Sequence, residues 1–140
     1  MFQDGMKMSG KLTISLNDEV VREVDNLVVT SGKEFVASRM IGTSSNVMSH
    51  MAVGSGSTAA AAGDTALGSE LGRTTSSDSV SGAVVTYSAT FAAGTGTGAV
   101  TEAGLFNASS AGDMLCRTVF SVVNKGASDS MTISWAVTVS

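Results

Sequence analysis

The sequence predicts a mainly β fold: an antiparallel β-sandwich of about six to eight strands with one or two short helices. The first observation is strict alternation along residues 131–140, MTISWAVTVS, where every second residue is apolar and small polar residues lie between. The second is that similar segments recur at intervals of about ten residues, separated by glycine-rich and Asn/Asp-rich turns. At 140 residues the chain fits one domain with a core of its own.

The first ten residues, MFQDGMKMSG, have no consistent period, and we predict an N-terminal arm at 1–10 that docks on a partner. The single sandwich domain is predicted to span 11–140. The apolar residues of the arm that are candidates for docking are Met1, Phe2, Met6 and Met8.

Residues 11–16 alternate and predict the first strand of the domain. Asn17 is a candidate cap for a short helical turn over the segment DEVVREV, which runs into an extended segment at 27–30. The clearest helix is predicted near 32–41, because Ser31 and Glu34 have the spacing of a capping box and Gly42 can stop the helix. Such a helix would cover an open end or an edge of the sheet.

Residues 47–53 predict the next strand, and a long stretch of small residues follows it. Within that stretch Asp64 is expected to cap a single helical turn through residues 65–71. Residues 73–77 are polar and are expected to pair at a sheet edge.

The second half of the chain predicts strands throughout. Residues 84–91 alternate, and residues 100–107 and 114–123 flank a turn-forming segment and therefore predict a hairpin. We expect the terminal strand to pair with residues 114–123 and to share a face with residues 84–91. The predicted core residues are Trp135, Ile133, Val137, Phe91, Tyr87, Leu105, Phe106, Phe120 and Phe35.

Composition excludes several classes of function. The net charge is −4 and no basic run occurs, so the electrostatic contribution that dominates nucleic-acid affinity is missing. No segment has the roughly 18 apolar residues of a membrane span, and the first residues lack the apolar centre of a signal peptide. Only 14% of residues are charged, against about 25% on average, which indicates a surface partly covered by other subunits.

Few residues offer chemistry, and we predict no catalytic residue, no cofactor site and no metal site. Gly54 and Gly56 follow a strand but lack the context of a phosphate-binding loop, and we interpret them as part of a flexible loop. His50 is the only histidine and is predicted to be structural or at an interface. Cys116 is expected to be a buried small hydrophobe that shares a face with Met114.

Glu102 is the one acid inside a strongly apolar strand. We favour a position on the wet face or at the strand start over an ion pair with Arg117 or Arg73, since exposed pairs contribute only about 0–1 kcal/mol. The aspartates are expected to lie in turns, which explains them without calcium. They are residues 64, 78, 113 and 129.

Three segments resemble parts of tailed-bacteriophage virion proteins. MAVGSGSTAAAAGDTALGSELGR is similar to a module of phage structural proteins, and VTEAGLFNASSAGDMLCRTVF resembles a strand–turn–strand segment of tail-fibre and baseplate-associated proteins. VVTSGKEFVASRMIG is similar to the helix that precedes that module. The resemblance covers about residues 27–140 and implies a β-rich domain that assembles by symmetry and has no enzymatic activity.

The resemblance implies a structural protein of the virion, assembled in the host cytoplasm, in a tail, neck or fibre-attachment assembly. Its expected partners are other copies of itself and other virion proteins, with neither nucleic acid nor membrane; a contact with the host surface is left open. One alternative is a capsid decoration, or cement, protein of the phage head. The second alternative is a carbohydrate-binding module.

Overall fold

The computed structural model describes residues 5–43 and 46–140 and confirms the mainly β class, with 54% of the described residues in strands and 8% in helix. Two antiparallel sheets of five strands each form a sandwich-like arrangement with one helix. The described residues therefore form ten strands, where the sequence predicted six to eight. Of the predicted docking residues, Met1 and Phe2 lie outside the described part of the chain.

The strands vary from two to twelve residues in length. In chain order they are β1 Met8–Leu16, β2 Glu19–Asp25, β3 Leu27–Val28, β4 His50–Gly54, β5 Glu70–Thr75, β6 Ser77–Ser81, β7 Val84–Phe91, β8 Gly98–Phe106, β9 Met114–Lys125 and β10 Met131–Val139. The helix α1, Thr30–Met40, lies between β3 and β4. The first sheet has the order β2-β1-β10-β7-β6 and the second sheet the order β3-β9-β8-β4-β5.

The terminal strand lies at the centre of the first sheet. β10 pairs with β1 on one side and β7 on the other, and Trp135 is opposite Leu12 and Tyr87. The predicted pairing with residues 114–123 is wrong, because β9 belongs to the second sheet. The connection of residues 126–130 is long enough to carry the chain from one sheet to the other, so strands adjacent in sequence need not pair.

The core lies between the two sheets, where the alternating apolar residues of both meet. Most of the predicted core residues are buried: Trp135, Ile133, Phe91 and Leu105 have no exposed surface, and Val137, Phe106 and Phe120 are at most 8% exposed. Tyr87 and Phe35 are partly buried and pack against the same cluster. Phe106 belongs to a second, smaller cluster with Val29, Ala52 and Met114.

The first strand begins at Met8, three residues earlier than predicted, so residues 8–10 belong to the sheet and not to the arm. The predicted helical turn after Asn17 is wrong, because residues 19–25 form β2. Asn17 and Asp18 have positive φ values of 48° and 67° and form a two-residue turn between β1 and β2. Asn and Asp tolerate this left-handed conformation better than other non-glycine residues.

The helix forms close to the predicted place, but its start differs. Val29 precedes the first turn and no side chain caps it, so the predicted capping box is wrong. The Ser31 hydroxyl donates to the Met114 carbonyl at 2.9 Å, and the Val29 N–H donates to the Leu115 carbonyl. Gly32 is buried against Leu115, where any Cβ would overlap the backbone. The helix start thus covers the edge of β9 beyond the two-residue β3.

Residues 55–69 form a long loop, and the helical turn predicted at 65–71 is absent, since β5 begins at Glu70. The strand predicted at 47–53 begins at His50. The predicted hairpin of residues 100–107 and 114–123 is confirmed as β8 and β9. In the described residues no helix is long and apolar enough to cross a membrane.

Candidate functional site

The outer face of the second sheet, which is turned away from the first sheet, is covered by the loop of residues 55–69. Glu102, Gly104 and Phe106 alternate along β8 onto this face, while Ala103 and Leu105 join the main core. Gly104 leaves room for Leu67, since a Cβ there would lie 3.1 Å from the Leu67 side chain. The Glu-x-Gly-x-Phe pattern of β8 therefore forms the surface on which the loop packs, which we call the loop-binding surface.

The carboxylate of Glu102 lies at the centre of the loop-binding surface and is not exposed to solvent. It accepts a hydrogen bond from the Gly56 N–H at 2.6 Å, and from the Gly68 and Ser69 N–H groups at 2.8 Å each. The donors come from both ends of the loop. One side chain thus ties the two ends of the loop to the sheet.

Arg117 lies on β9, opposite Gly104 of β8, and its guanidinium compensates the charge of this carboxylate. Its Nε and Nη2 donate to Oε1 of Glu102 at 3.1 and 3.0 Å. Its Nη1 donates to Asp64 Oδ2 at 2.9 Å, and Nη2 also donates to the Thr58 carbonyl at 3.0 Å. The guanidinium is therefore a second anchor, which holds the middle of the loop.

Two opposing influences act on the pKa of the Glu102 carboxyl. Burial is the largest single influence and would raise the pKa. The N–H groups of Ser69, Gly68 and Gly56 and the Arg117 guanidinium stabilise the ionised form, and together they lower the pKa below its ordinary value. Glu102 is therefore a buried, charged carboxylate whose charge is compensated by groups of this chain.

The prediction that Glu102 lies on a wet face or at the strand start is wrong, and the ion pair with Arg117 is the arrangement found. The one related signal in the sequence is the pair of glycines at positions 54 and 56, which indicates a close approach to the backbone there. Gly54 and Gly56 are close to the carboxylate: a Cβ on Gly54 would lie 2.6 Å from Glu102 Oε2, and one on Gly56 would overlap the same oxygen. Within the Gly-x-Gly segment, the Gly56 N–H binds the carboxylate and Gly54 leaves room for it, so the anion beside these glycines is a side chain of the same protein.

Arg73, the other residue considered as an ion-pair partner of Glu102, has a different role. It pairs with Glu70 at 2.7 Å, and its guanidinium lies 3.9 Å from the centre of the Phe106 ring. It also donates to the carbonyls of Ala108 and Ala111 at 2.9 Å each. Arg73 therefore holds the β8–β9 turn against β5.

His50 and Cys116 do not belong to the loop-binding surface around Glu102. His50 is partly buried, and its Nδ1 lies 2.8 Å from the Ser49 hydroxyl. Cys116 is fully buried in the main core, and desolvation raises the pKa of its thiol well above the ordinary value. It does not share a face with Met114 as predicted, because the register shifts between Leu105 and Phe106 and turns Met114 to the outer face.

The aspartates are divided between turns and other roles. Asp129 accepts a hydrogen bond from the Asn17 side chain, and this bond, with that from the Gly126 N–H, lowers the pKa of Asp129. Asp78 lies in β6, so its predicted place in a turn is wrong. Within residues 5–43 and 46–140, no group of three or more His, Cys, Asp or Glu side chains is arranged to hold a metal ion.

No protein-family model, no curated protein and no solved structure matches this chain. The carboxylate, the guanidinium and the backbone donors all bind one another, so what this arrangement does is hold a loop in place.

Proposed function

We propose that this chain is a non-enzymatic structural protein of a tailed-phage virion, part of a tail, neck or fibre-attachment assembly built by symmetric oligomerisation. It would be made in the host cytoplasm and incorporated into particles through contacts with its own copies and with other virion proteins. The proposal begins from the resemblance of three sequence segments to phage virion proteins.

The observation that carries the proposal is the contact between two of those segments. The Gly-x-Gly loop belongs to the first and Glu102 to the second, and they meet through three backbone hydrogen bonds. The contact supports a resemblance to one folded module in which the glutamate, its glycines and Arg117 belong together.

The surface offers apolar side chains that other subunits could cover. Met40 and Ile41, at the end of α1, are 79% and 85% exposed, and Met6, before β1, is 74% exposed. Exposed apolar surface marks contacts with other proteins when it is contiguous, and these side chains are candidates for such a contact. With the low charged fraction of the chain, they support an assembled rather than a solitary protein.

The direct test is to express an epitope-tagged chain during phage production and to measure its recovery in gradient-purified particles. The proposal expects the tag to co-purify with intact particles and to be seen at the tail or neck by immunogold labelling. A few to a few dozen copies per particle would agree with this location. Hundreds of copies would favour capsid decoration, and absence from purified particles would overturn the virion assignment.

The N-terminal arm can be tested separately. Because β1 begins at Met8, the deletion should remove only residues 1–6 and leave the strand intact. We expect the truncated chain to melt like the full chain but to be lost from particles. Normal incorporation would show that the arm does not dock.

A further inference from the structure

The four edges of the two sheets are protected to very different degrees. The β2 edge carries charged residues, and Arg22 donates to the carbonyls of Ser121 and Val122 on β9 at 3.1 and 2.8 Å. Charged residues on an edge strand oppose pairing with another chain. On this side the two sheets are bridged and the edge is blocked.

Both edges of the second sheet are also protected. β3 is only two residues long and leads directly into α1. At the other edge, β5 carries the charged residues Glu70 and Arg73, which oppose pairing with another chain as the charges of β2 do.

The β6 edge is different. All five residues of this strand, SDSVS, are exposed, and in the described chain β7 is its only neighbour in the sheet. The strand has no lysine, arginine or proline, and Val80 is 71% exposed. Asp78 is its one charged residue, so β6 has few of the devices by which natural edge strands avoid pairing.

The alternation of hydrogen-bonded and non-hydrogen-bonded pairs in the β6–β7 hairpin determines which backbone groups of β6 are free. Ser81 is opposite Val84 across a two-residue turn that begins with Gly82, whose φ is 57°. Residues that flank such a turn exchange hydrogen bonds, and pairing alternates along the ladder. Ser77, Ser79 and Ser81 therefore bond to β7, and Asp78 and Val80 direct their N–H and C=O groups outward.

We propose that β6 pairs antiparallel with β6 of a second copy about a two-fold axis at Ser79. In this register Asp78 of each copy exchanges backbone hydrogen bonds with Val80 of the other copy. All the outward backbone groups of Asp78 and Val80 are then paired. The first sheet of one copy and the first sheet of the other join into one continuous sheet of ten strands.

The side chains agree with this register. Each Asp78 lies opposite a valine, whereas the register that pairs Asp78 with Asp78 would place like charges directly opposite each other. Pairing Val80 with Val80 avoids that repulsion but leaves the outward groups of both Asp78 residues unpaired. The register centred on Ser79 is the one that pairs every outward group and opposes no charges.

This pairing rests on the proposed function only in that both require copies to associate. The two can fail separately: absence from particles would overturn the virion assignment and leave the pairing intact. Loss of the pairing would leave incorporation into particles to be explained by another contact.

The first experiment measures the molar mass of the purified full chain by sedimentation over a wide concentration range. We expect a reversible dimer, weakened about tenfold or more by Val80→Lys, because a charge is placed on the pairing edge. The matched control is Val20→Lys on β2, which is also an exposed valine on an edge strand, at 57% exposure. A wild-type chain that stays monomeric, or equal effects of the two substitutions, would overturn the proposal.

The second experiment tests the register with single cysteines under mild oxidation by diamide. Ser79→Cys places two thiols opposite each other across the axis, and we expect rapid disulfide-linked dimers. Ser77→Cys is the matched control, because its partner in this register is Ser81, and the native Cys116 is buried. Cross-linking of Ser79→Cys no faster than that of Ser77→Cys would contradict the register.

Discussion

The Arg117 guanidinium donates two hydrogen bonds, at 3.0 and 3.1 Å, to a single carboxylate oxygen of Glu102, and both side chains are buried. The same carboxylate accepts the N–H groups of Gly56, Gly68 and Ser69. The ion pair is therefore the point at which β8, β9 and the loop of residues 55–69 meet. We expect these three segments to unfold together.

Replacing Glu102 by glutamine should be strongly destabilising. The change removes the charge that compensates buried Arg117 and places an amide N–H₂ against backbone donors, and breaking a buried ion pair costs about 3–5 kcal/mol. Urea denaturation followed by circular dichroism measures the loss. The matched control is Glu70→Gln, which breaks the more exposed pair with Arg73 and should cost less than about 1 kcal/mol. Equal stability of the Glu102→Gln and wild-type proteins would contradict the role assigned to the carboxylate.

The stability of the protein should depend on pH through Glu102. Its pKa is lower in the folded protein than in the unfolded chain, where it is about 4.3. The ionised carboxylate therefore stabilises the fold fully above that value, and the contribution is lost as the pH falls through the folded pKa. Denaturation midpoints measured from neutral pH downward should decline below about pH 4.3. The decline should be shallower for Glu102→Gln, and parallel curves for the two proteins would be inconsistent with this linkage.

Adding a single methyl group at Gly56 should displace the loop. A Cβ at this position would overlap the Glu102 carboxylate, so Gly56→Ala should cost about 1–3 kcal/mol, the usual range for overpacking. The control is Gly63→Ala in the same loop, where nothing lies within 4 Å of a Cβ. That change should be neutral or slightly stabilising. The experiment compares thermal melting and limited proteolysis of the loop, and equal behaviour of the two variants would argue against the contact.

Trp135 should be essential for the core. It has no exposed surface and lies at the centre of the first sheet, opposite Leu12 and Tyr87. Trp135→Ala should cost about 3–5 kcal/mol through the cavity it leaves. A variant that melts like the wild type would show that the neighbouring strands close the cavity at little cost.

Much of the fold could be predicted because its signals are local. Alternation along β7 and β10 identified both strands and the side of each that faces the core, and Gly42, with a φ of 72°, marks the end of α1. The hairpin of β8 and β9 followed from the turn residues between them. These features depend on residues a few positions apart, so a single sequence contains the information.

The candidate site could not be predicted in the same way. Glu102 is buried because its donors, 33 to 46 residues away along the chain, are folded onto it. From the sequence, an acid in an apolar strand is expected to face water, because burying a charge costs free energy. Only the position of the loop reverses that preference. The Gly-x-Gly segment was visible, but its ligand was not.

The sequence by itself determined several of the strands, among them β1, β7, β8, β9 and β10, and where the helix ends, since backbone and side-chain preferences act over a few residues. Only the tertiary structure decided that β10 lies between β1 and β7, that Glu102 is charged and buried beside Arg117, and that β6 is left with an open edge. Those outcomes depend on which distant segments pack together. The free energy of burying a charge or pairing a strand depends on partners that lie far away along the chain.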